Sequence, residues 1–396
     1  MISDVDRRRP SAAPRLREID ALRGFALLGI LVVNIAFFAT ACPWHGVDDP
    51  AYGSPLDTAV RAVVALLFEL KFYLLFSFLF GYSFTLQLAS AWRSGARFVP
   101  RFLRRLSGLF VIGTAHMLLF FHGDILTTYA VLGLVLLAVH RIRPRTAMIV
   151  AGTLVALVAI QLLVVAVVEG SPPADPARAI EAGMRSAEAL RGGPGDVIVE
   201  HLRSLPKMLQ ALAAFQAPLA LAAFLVGLAA GQVGWLADLP RHDRFLRRLQ
   251  TAGFPVGILG SIPFALTGGT TRLNLGALAL TVVTAPWLSA AYAATVLRIC
   301  CSGRSGHRLT DGLAPAGRMS LTNYLGQSVI CAVIFTGWGS GLVGRTSPAE
   351  ALATAFLIFC GQLLFSAYWM SRHPYGPAEW VLRTVTTMRR PAWRVR

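Results

Sequence analysis

Ten runs of roughly 17 to 25 mostly apolar residues divide this 396-residue chain, and their length constrains the fold more than any other feature. At 1.5 Å per residue, a helix of that length crosses the hydrocarbon core of a bilayer, about 30 Å. A water-soluble core interrupts its apolar runs sooner, with a polar face recurring every few residues. The runs fall at 24–41, 71–90, 104–121, 124–140, 147–168, 211–235, 251–268, 275–297, 320–338 and 351–370. Charged residues make up 14% of the chain, where a soluble protein carries about a quarter. The expected fold is therefore all-α: a polytopic membrane protein with about ten transmembrane helices.

Three parts follow from this map: a basic N-terminal segment over 1–23, a helical membrane domain over 24–370, and a tail over 371–396. Short amphipathic stretches precede the second run (57–70) and the sixth (175–205). The loop 169–210 carries the breakers Ser171-Pro172-Pro173 and Gly192-Gly193-Pro194-Gly195. Between them the spacing is helix-like, as for a segment lying on a membrane surface. The basic start and the first apolar run, ending Ala39-Thr40-Ala41, have the outline of a signal peptide. The run is long for that role and many spans follow, so a retained first helix is expected.

The formal charge of +17 would point to nucleic acid in a soluble chain. Here the basic residues lie between apolar runs and read as topology signals. With the N-terminus inside and the spans alternating, the cytoplasmic segments hold 28 basic and eight acidic residues, and the outer ones nine and twelve. This segregation predicts cytoplasmic termini and residence in a bacterial cytoplasmic membrane, with no nucleic-acid partner. The five cysteines, Cys42, Cys300, Cys301, Cys331 and Cys360, show no metal-ligand spacing, and no metal is expected.

Polar and ionisable groups inside apolar runs are costly and mark candidate sites. Asn34 lies about seven residues, or ~10 Å, from the outer end of the first run. His45 follows in the outer loop. His116 lies near the outer end of the third run, and His122-Gly123-Asp124 turns into the fourth. A histidine near a carboxylate at a depth water reaches can act as a general base. Asp20, Arg23 and Arg318 sit at the inner edge, with Glu379 and Arg383 after the last run. Asn323 and Gln327 share one helix face at i, i+4. The plainer alternatives stay open: interhelical glue for the amides, packing for the histidines, snorkelling anchors or interface ion pairs for the arginines.

The stretch from Arg17 to Asn34, containing Asp20-Ala21-Leu22-Arg23-Gly24, resembles the opening signature of YeiB-like proteins, the domain-of-unknown-function 418 family. Further segments resemble that family in order: Lys71-Phe72 with Leu75-Phe76-Ser77-Phe78-Leu79-Phe80-Gly81-Tyr82, His116 with Gly123-Asp124-Ile125-Leu126, Gly317-Arg318-Met319-Ser320-Leu321-Thr322-Asn323-Tyr324-Leu325-Gly326-Gln327-Ser328, and Gly376-Pro377-Ala378-Glu379-Trp380. A wider resemblance is to transmembrane acyltransferases, namely acyltransferase family 3 and the heparan-α-glucosaminide N-acetyltransferase group. Both open with Asp-x-x-Arg-Gly. Fourteen residues past that Asp the second group carries Asn, here Asn34, and eleven beyond it a catalytic His, here His45.

The wider resemblance implies transfer of an acyl group, acetyl first among them, from cytoplasmic acyl-CoA to an acceptor hydroxyl or amine at the outer face. Arg23, and with it Asp20, Arg318, Asn323 and Gln327, would form the coenzyme side. His45 or His116 would be the base, Asn34 the oxyanion donor, and Asp124 the group orienting a histidine. The expected partners are the bilayer, acyl-CoA and an acceptor that the sequence does not name; a homodimer through apolar helix faces is left open. Two other readings compete: a permease for a small or lipid-like solute, and a non-catalytic membrane partner protein.

Overall fold

The computed structural model describes residues 17–170, 175–236 and 238–395. The basic segment before residue 17 and the breaker Ser171-Pro172-Pro173 lie outside the described residues. Fifteen α-helices follow in order: α1 Arg17–Ala39, α2 Pro55–Leu67, α3 Lys71–Arg93, α4 Phe98–Leu119, α5 Leu126–Val139, α6 Pro144–Val168, α7 Pro176–Arg191, α8 Pro194–Ala211, α9 Ala217–Val233, α10 Asp243–Leu266, α11 Leu275–Cys300, α12 Gly303–Arg318, α13 Ser320–Phe335, α14 Pro348–Arg372 and α15 Pro377–Thr387. No strand occurs among the described residues. Among the described residues, eight helical segments are long and apolar enough to cross a membrane, and α5 and α13 are shorter apolar helices. This is the pattern of a multi-pass membrane protein.

Local chemistry fixes many boundaries. Ser54 and Asp57 form a capping box at the start of α2, and Ser347 and Glu350 another at α14. Proline opens α6, α7, α8 and α15, where its missing N–H has no helical partner to lose. Gly192-Gly193 splits the loop 169–210 into α7 and α8, and α8 runs through one π-helical turn at Leu212–Gln216 into α9.

The most buried of the long segments is α1, and the least buried is α6. Helix α1 packs on α12, α14, α13, α3 and α11, so its two ends organise the two ends of the bundle. The end that carries Asp20 and Arg23 also gathers the end of α3, the start of α4, α12 and α15. The opposite end gathers the α1–α2 loop, the α4–α5 turn, α7, α8 and the loop after α13. Gly317 permits the closest approach at the first end: a Cβ there would lie 1.7 Å from the Asp20 carbonyl oxygen. Small residues at crossings do this throughout membrane helix bundles.

Candidate functional site

A cavity of about 550 Å³ opens at the first end between α3, α4, α13 and α15. On α3 its wall runs from Phe76 to Ala91, fifteen residues and so ~22 Å along the helix. Five arginines, Arg23, Arg101, Arg105, Arg318 and Arg383, line it with two carboxylates, Asp20 and Glu379. Both carboxylates are engaged. Arg23 donates to Asp20 Oδ1 at 2.6 Å and to Ser83 Oγ at 2.5 Å. Glu379 accepts from the backbone N–H groups of Leu321 (2.7 Å) and Thr322 (3.2 Å) and from Thr322 Oγ1 (2.6 Å). It thereby satisfies the first turn of α13. Burial pushes its carboxyl above the ordinary range, against those same hydrogen bonds. Arg318 donates to the Pro374 carbonyl at 3.3 Å. Arg105 Nε is buried without a hydrogen-bond partner among the described residues. The mouth therefore has cationic capacity to spare, and the deeper walls, with Leu79, Phe80, Leu109 and Ile125, are apolar.

The far end of the cavity is closed by Tyr129 and Tyr324. Tyr129 exchanges a 2.6 Å hydrogen bond with Ser77. The Tyr324 ring packs on His116, with centroids 5.1 Å apart, and its hydroxyl feels Asp124 and the Ile125 backbone. Behind it lies a buried pair: His116 Nδ1 is 2.8 Å from Asp124 Oδ1. Asp124 Oδ2 accepts from Thr127 N–H at 2.9 Å and Thr127 Oγ1 at 3.2 Å. An ionised carboxylate only accepts, so the His116 proton sits on Nδ1 and the lone pair on Nε2. That Nε2 is buried and has no hydrogen-bond partner among the described residues. Gly113 makes room for the pair, since a Cβ there would lie 2.8 Å from Asp124 Oδ2. His116 does not line the cavity; Tyr324 stands between.

His45 belongs to a cluster at the opposite end, beneath α7 and α8, which Phe121 joins to His116. Ser186 Oγ donates to Glu200 Oε1 at 2.6 Å, so it accepts from His45 Nε2 at 3.2 Å, and the His45 proton is on Nε2. Burial, then Lys207 and Arg185, hold the imidazole below its ordinary value, with Glu200 opposing. The His122 ring lies 4.0 Å from that of Trp44 and 4.9 Å from that of His201. Its Nδ1 is buried without a partner among the described residues. Burial, then His201 and His45, hold it well below its ordinary value. Asn34 is half-buried and one turn from each of two landmarks on the same face of α1. Ile30 lines the cavity, and Phe38 stacks on Phe121.

The profile described as "Protein of unknown function (DUF418)" matches residues 230–389. Uncharacterized protein YxaH of Bacillus subtilis (strain 168) is 30% identical over 388 residues, 94% of each chain. This chain belongs to the DUF418 family. An uncharacterized 39.9 kDa protein in the amylase 3′ region of Bacillus acidopullulyticus is 30% identical over 396 residues, 95% of each chain. Uncharacterized protein YeiB of Escherichia coli (strain K12) is 28% identical over 393 residues, 93% of this chain and 95% of its own. No solved structure matches the chain.

Within the segment matched to DUF418, the structure separates residues that the sequence grouped. Asn323 and Gln327 lie outside the cavity. Asn323 donates to the Ala316 carbonyl (3.1 Å) and Ser366 Oγ (2.9 Å). Gln327 donates to Gln362 Oε1 at 2.8 Å, and Gln362 returns to the Asn323 carbonyl at 2.8 Å. These amides tie α13 to α12 and α14. Asp20, Arg23 and Arg318 do share the cavity, and His116 and Asp124 share their pair. Sequence reasoning counted Arg101 and Arg105 only as topology charges; their four-residue spacing at the head of an apolar run puts both on one helix face. In the sequence Tyr324 stands out only as part of a motif. Nothing in its spacing marks it as the end wall of a cavity.

Proposed function

We propose that this DUF418 protein is a membrane acyltransferase of the bacterial cytoplasmic membrane, with ten spans and cytoplasmic termini. In this reading an acyl-CoA, acetyl-CoA first, enters at the arginine-rich end, and its acyl group passes to a hydroxyl or amine reaching the site from the outer side. The carrying observation is a cavity ~22 Å long along α3, cationic at its mouth, apolar in its deeper part and ending beside a histidine–carboxylate pair. Arg101 and Arg105 on α4, Arg318 on α12 and Arg383 on α15 suit phosphates, which take charge-assisted and bidentate hydrogen bonds from guanidinium groups. The cavity's length suits an extended thioester arm, and its apolar walls suit an arm shedding water.

At the closed end, His116 Nε2 takes the proton of the acceptor hydroxyl or amine while that oxygen or nitrogen bonds to the acyl carbon. The carbon–sulfur bond then breaks, and the departing thiolate receives the proton from the imidazolium. Asp124 holds the tautomer this requires and stabilises the imidazolium. Asn34, one turn beyond the cavity wall, supplies an amide donor to the carbonyl oxygen as it gains charge. His45 is the weaker candidate for the base, because its Nε2 proton is committed to Ser186.

The test is calorimetric titration of acetyl-CoA into the purified protein in detergent, beside Arg105→Ala and His116→Ala. Saturable binding that weakens in Arg105→Ala and persists in His116→Ala is expected. Folded protein that binds neither acetyl-CoA nor longer acyl-CoAs would sink the reading.

A further inference from the structure

The base and the cavity are not in contact, and one side chain separates them. Tyr324 forms part of the cavity wall, and its ring packs against that of His116. It is buried, 4% exposed, and its hydroxyl lies beside Asp124 and the Ile125 backbone. His116 is 2% exposed, and its Nε2 has no hydrogen-bond partner among the described residues. A buried imidazole nitrogen without a partner is an arrangement that hydrogen-bonding economy disfavours unless something else is to occupy it.

We propose that Tyr324 is a partition that sets the specificity of the reaction for transfer over hydrolysis. This rests on the acyltransferase reading for the identity of the cavity's ligand. A thioester held at the closed end of the cavity is shielded from the lone pair on His116 Nε2 by the phenol ring. Water that follows the thioester into the cavity therefore meets no base. Binding of an acceptor rotates the Tyr324 ring and opens His116 Nε2 to the cavity, so base and thioester meet only when an acceptor is bound.

Removing the ring lets water take the acceptor's place. His116 Nε2 accepts a proton from water, the water oxygen bonds to the acyl carbon, and the carbon–sulfur bond breaks. The thiolate leaves with the proton from the imidazolium, giving free carboxylic acid and free coenzyme thiol. General-base assistance typically contributes about 10² to 10⁴-fold, so even partial alignment gives an easily read increase.

Two measurements on the full chain in detergent test this. The first is release of free thiol from acetyl-CoA without acceptor, for wild type, Tyr324→Ala, Tyr324→Phe and Tyr324→Ala/His116→Ala. Tyr324→Ala is expected to hydrolyse acetyl-CoA at least about tenfold faster than wild type. Tyr324→Phe keeps the ring and stays near wild type, and the double variant falls back to the wild-type rate. The second is labelling by diethyl pyrocarbonate read by mass spectrometry, which needs no activity. His116 is expected to be modified in Tyr324→Ala and protected in wild type and Tyr324→Phe. Should Tyr324→Ala not fold, Tyr324→Leu takes its place in both measurements. A variant that binds acetyl-CoA like wild type, yet neither hydrolyses it faster nor exposes His116, overturns the partition. Failure of wild type to bind acetyl-CoA while His116 exposure still follows the Tyr324 substitutions strikes the acyltransferase reading alone.

Discussion

A methyl group added at Gly317 would lie 1.7 Å from the Asp20 carbonyl oxygen, 2.7 Å from its carbonyl carbon and 2.8 Å from the Gly24 nitrogen. All three are backbone atoms of α1, so no side-chain rotation relieves the contact, and α12 must move away from α1. Two terms oppose each other in Gly317→Ala. Alanine favours a helix interior over glycine by about 1 kcal/mol. Forcing a carbon into a packed contact costs about 1–3 kcal/mol, and more where the backbone must yield. With the neighbours at 1.7 to 2.8 Å, the upper part of that range applies, and the steric term wins. Gly312, five residues earlier on the same helix, has nothing within 4 Å of its notional Cβ. There only the propensity term acts, so Gly312→Ala is expected to stabilise by about 0.4–1 kcal/mol.

The two substitutions change the same residue type on the same helix and are expected to shift stability in opposite directions, about 2–4 kcal/mol apart. Equilibrium unfolding in mixed micelles, followed by far-ultraviolet circular dichroism, measures both. Gly317→Ala is also expected to weaken acetyl-CoA binding, because Arg318 moves with the displaced helix, whereas Gly312→Ala leaves it unchanged. Equal stabilisation by the two substitutions would refute the close α1–α12 crossing, and with it the geometry that brings Arg23 and Arg318 to one cavity.

Other substitutions separate binding, chemistry and packing. Arg105→Ala removes a guanidinium that no carboxylate pairs among the described residues, so the melting temperature should barely move. The acetyl-CoA dissociation constant should rise about 10- to 100-fold, as for loss of one hydrogen bond to a charged group. Arg23→Ala is expected to weaken binding and stability together, since it breaks the 2.6 Å ion pair with the buried Asp20 carboxylate. Asp124→Asn should lower single-turnover transfer to an added acceptor by up to about 10⁴-fold through loss of the His116 tautomer, with acetyl-CoA affinity unchanged by calorimetry. Gln362→Leu should cost about 1–3 kcal/mol of stability, because Gln327 loses its acceptor and the Asn323 carbonyl a donor, with little change in binding. Both His45 and His122 are held below the ordinary value of 6.5, so the fold favours their neutral forms. Their contribution is full above about pH 6.5 and is lost as the pH falls below it. Melting temperatures taken between pH 7.5 and 5 should fall, and His122→Phe should flatten the decline.

The helices that carry long apolar runs were legible because run length alone identifies them. The runs 71–90 and 147–168 became α3 and α6 within a few residues. The breaker Gly192-Gly193-Pro194 marked the junction of α7 and α8 for a reason specific to those residues: Pro194 opens α8 and Gly193 precedes it at the cap. Helices α12 and α15 went unread. Both are short and amphipathic, and α12 carries Arg304, Arg308 and Asp311; without an apolar run they look like polar connectors until α1 or α4 covers one face. The site divided along the same line. Asp20 and Arg23, three apart on one helix, are a local fact, and so is the eight-residue turn that returns Asp124 to His116. The meeting of Arg105 on α4, Arg318 on α12 and Tyr324 on α13 around one space is not local, because it depends on helix crossings such as the one Gly317 allows. Asn323 and Gln327 show the converse. Their i, i+4 spacing correctly placed them on one face, but spacing cannot say whether that face meets a ligand or another helix. The amide and carbonyl groups of α12 and α14 meet them there and satisfy their hydrogen bonds, leaving the cavity to the neighbouring Tyr324.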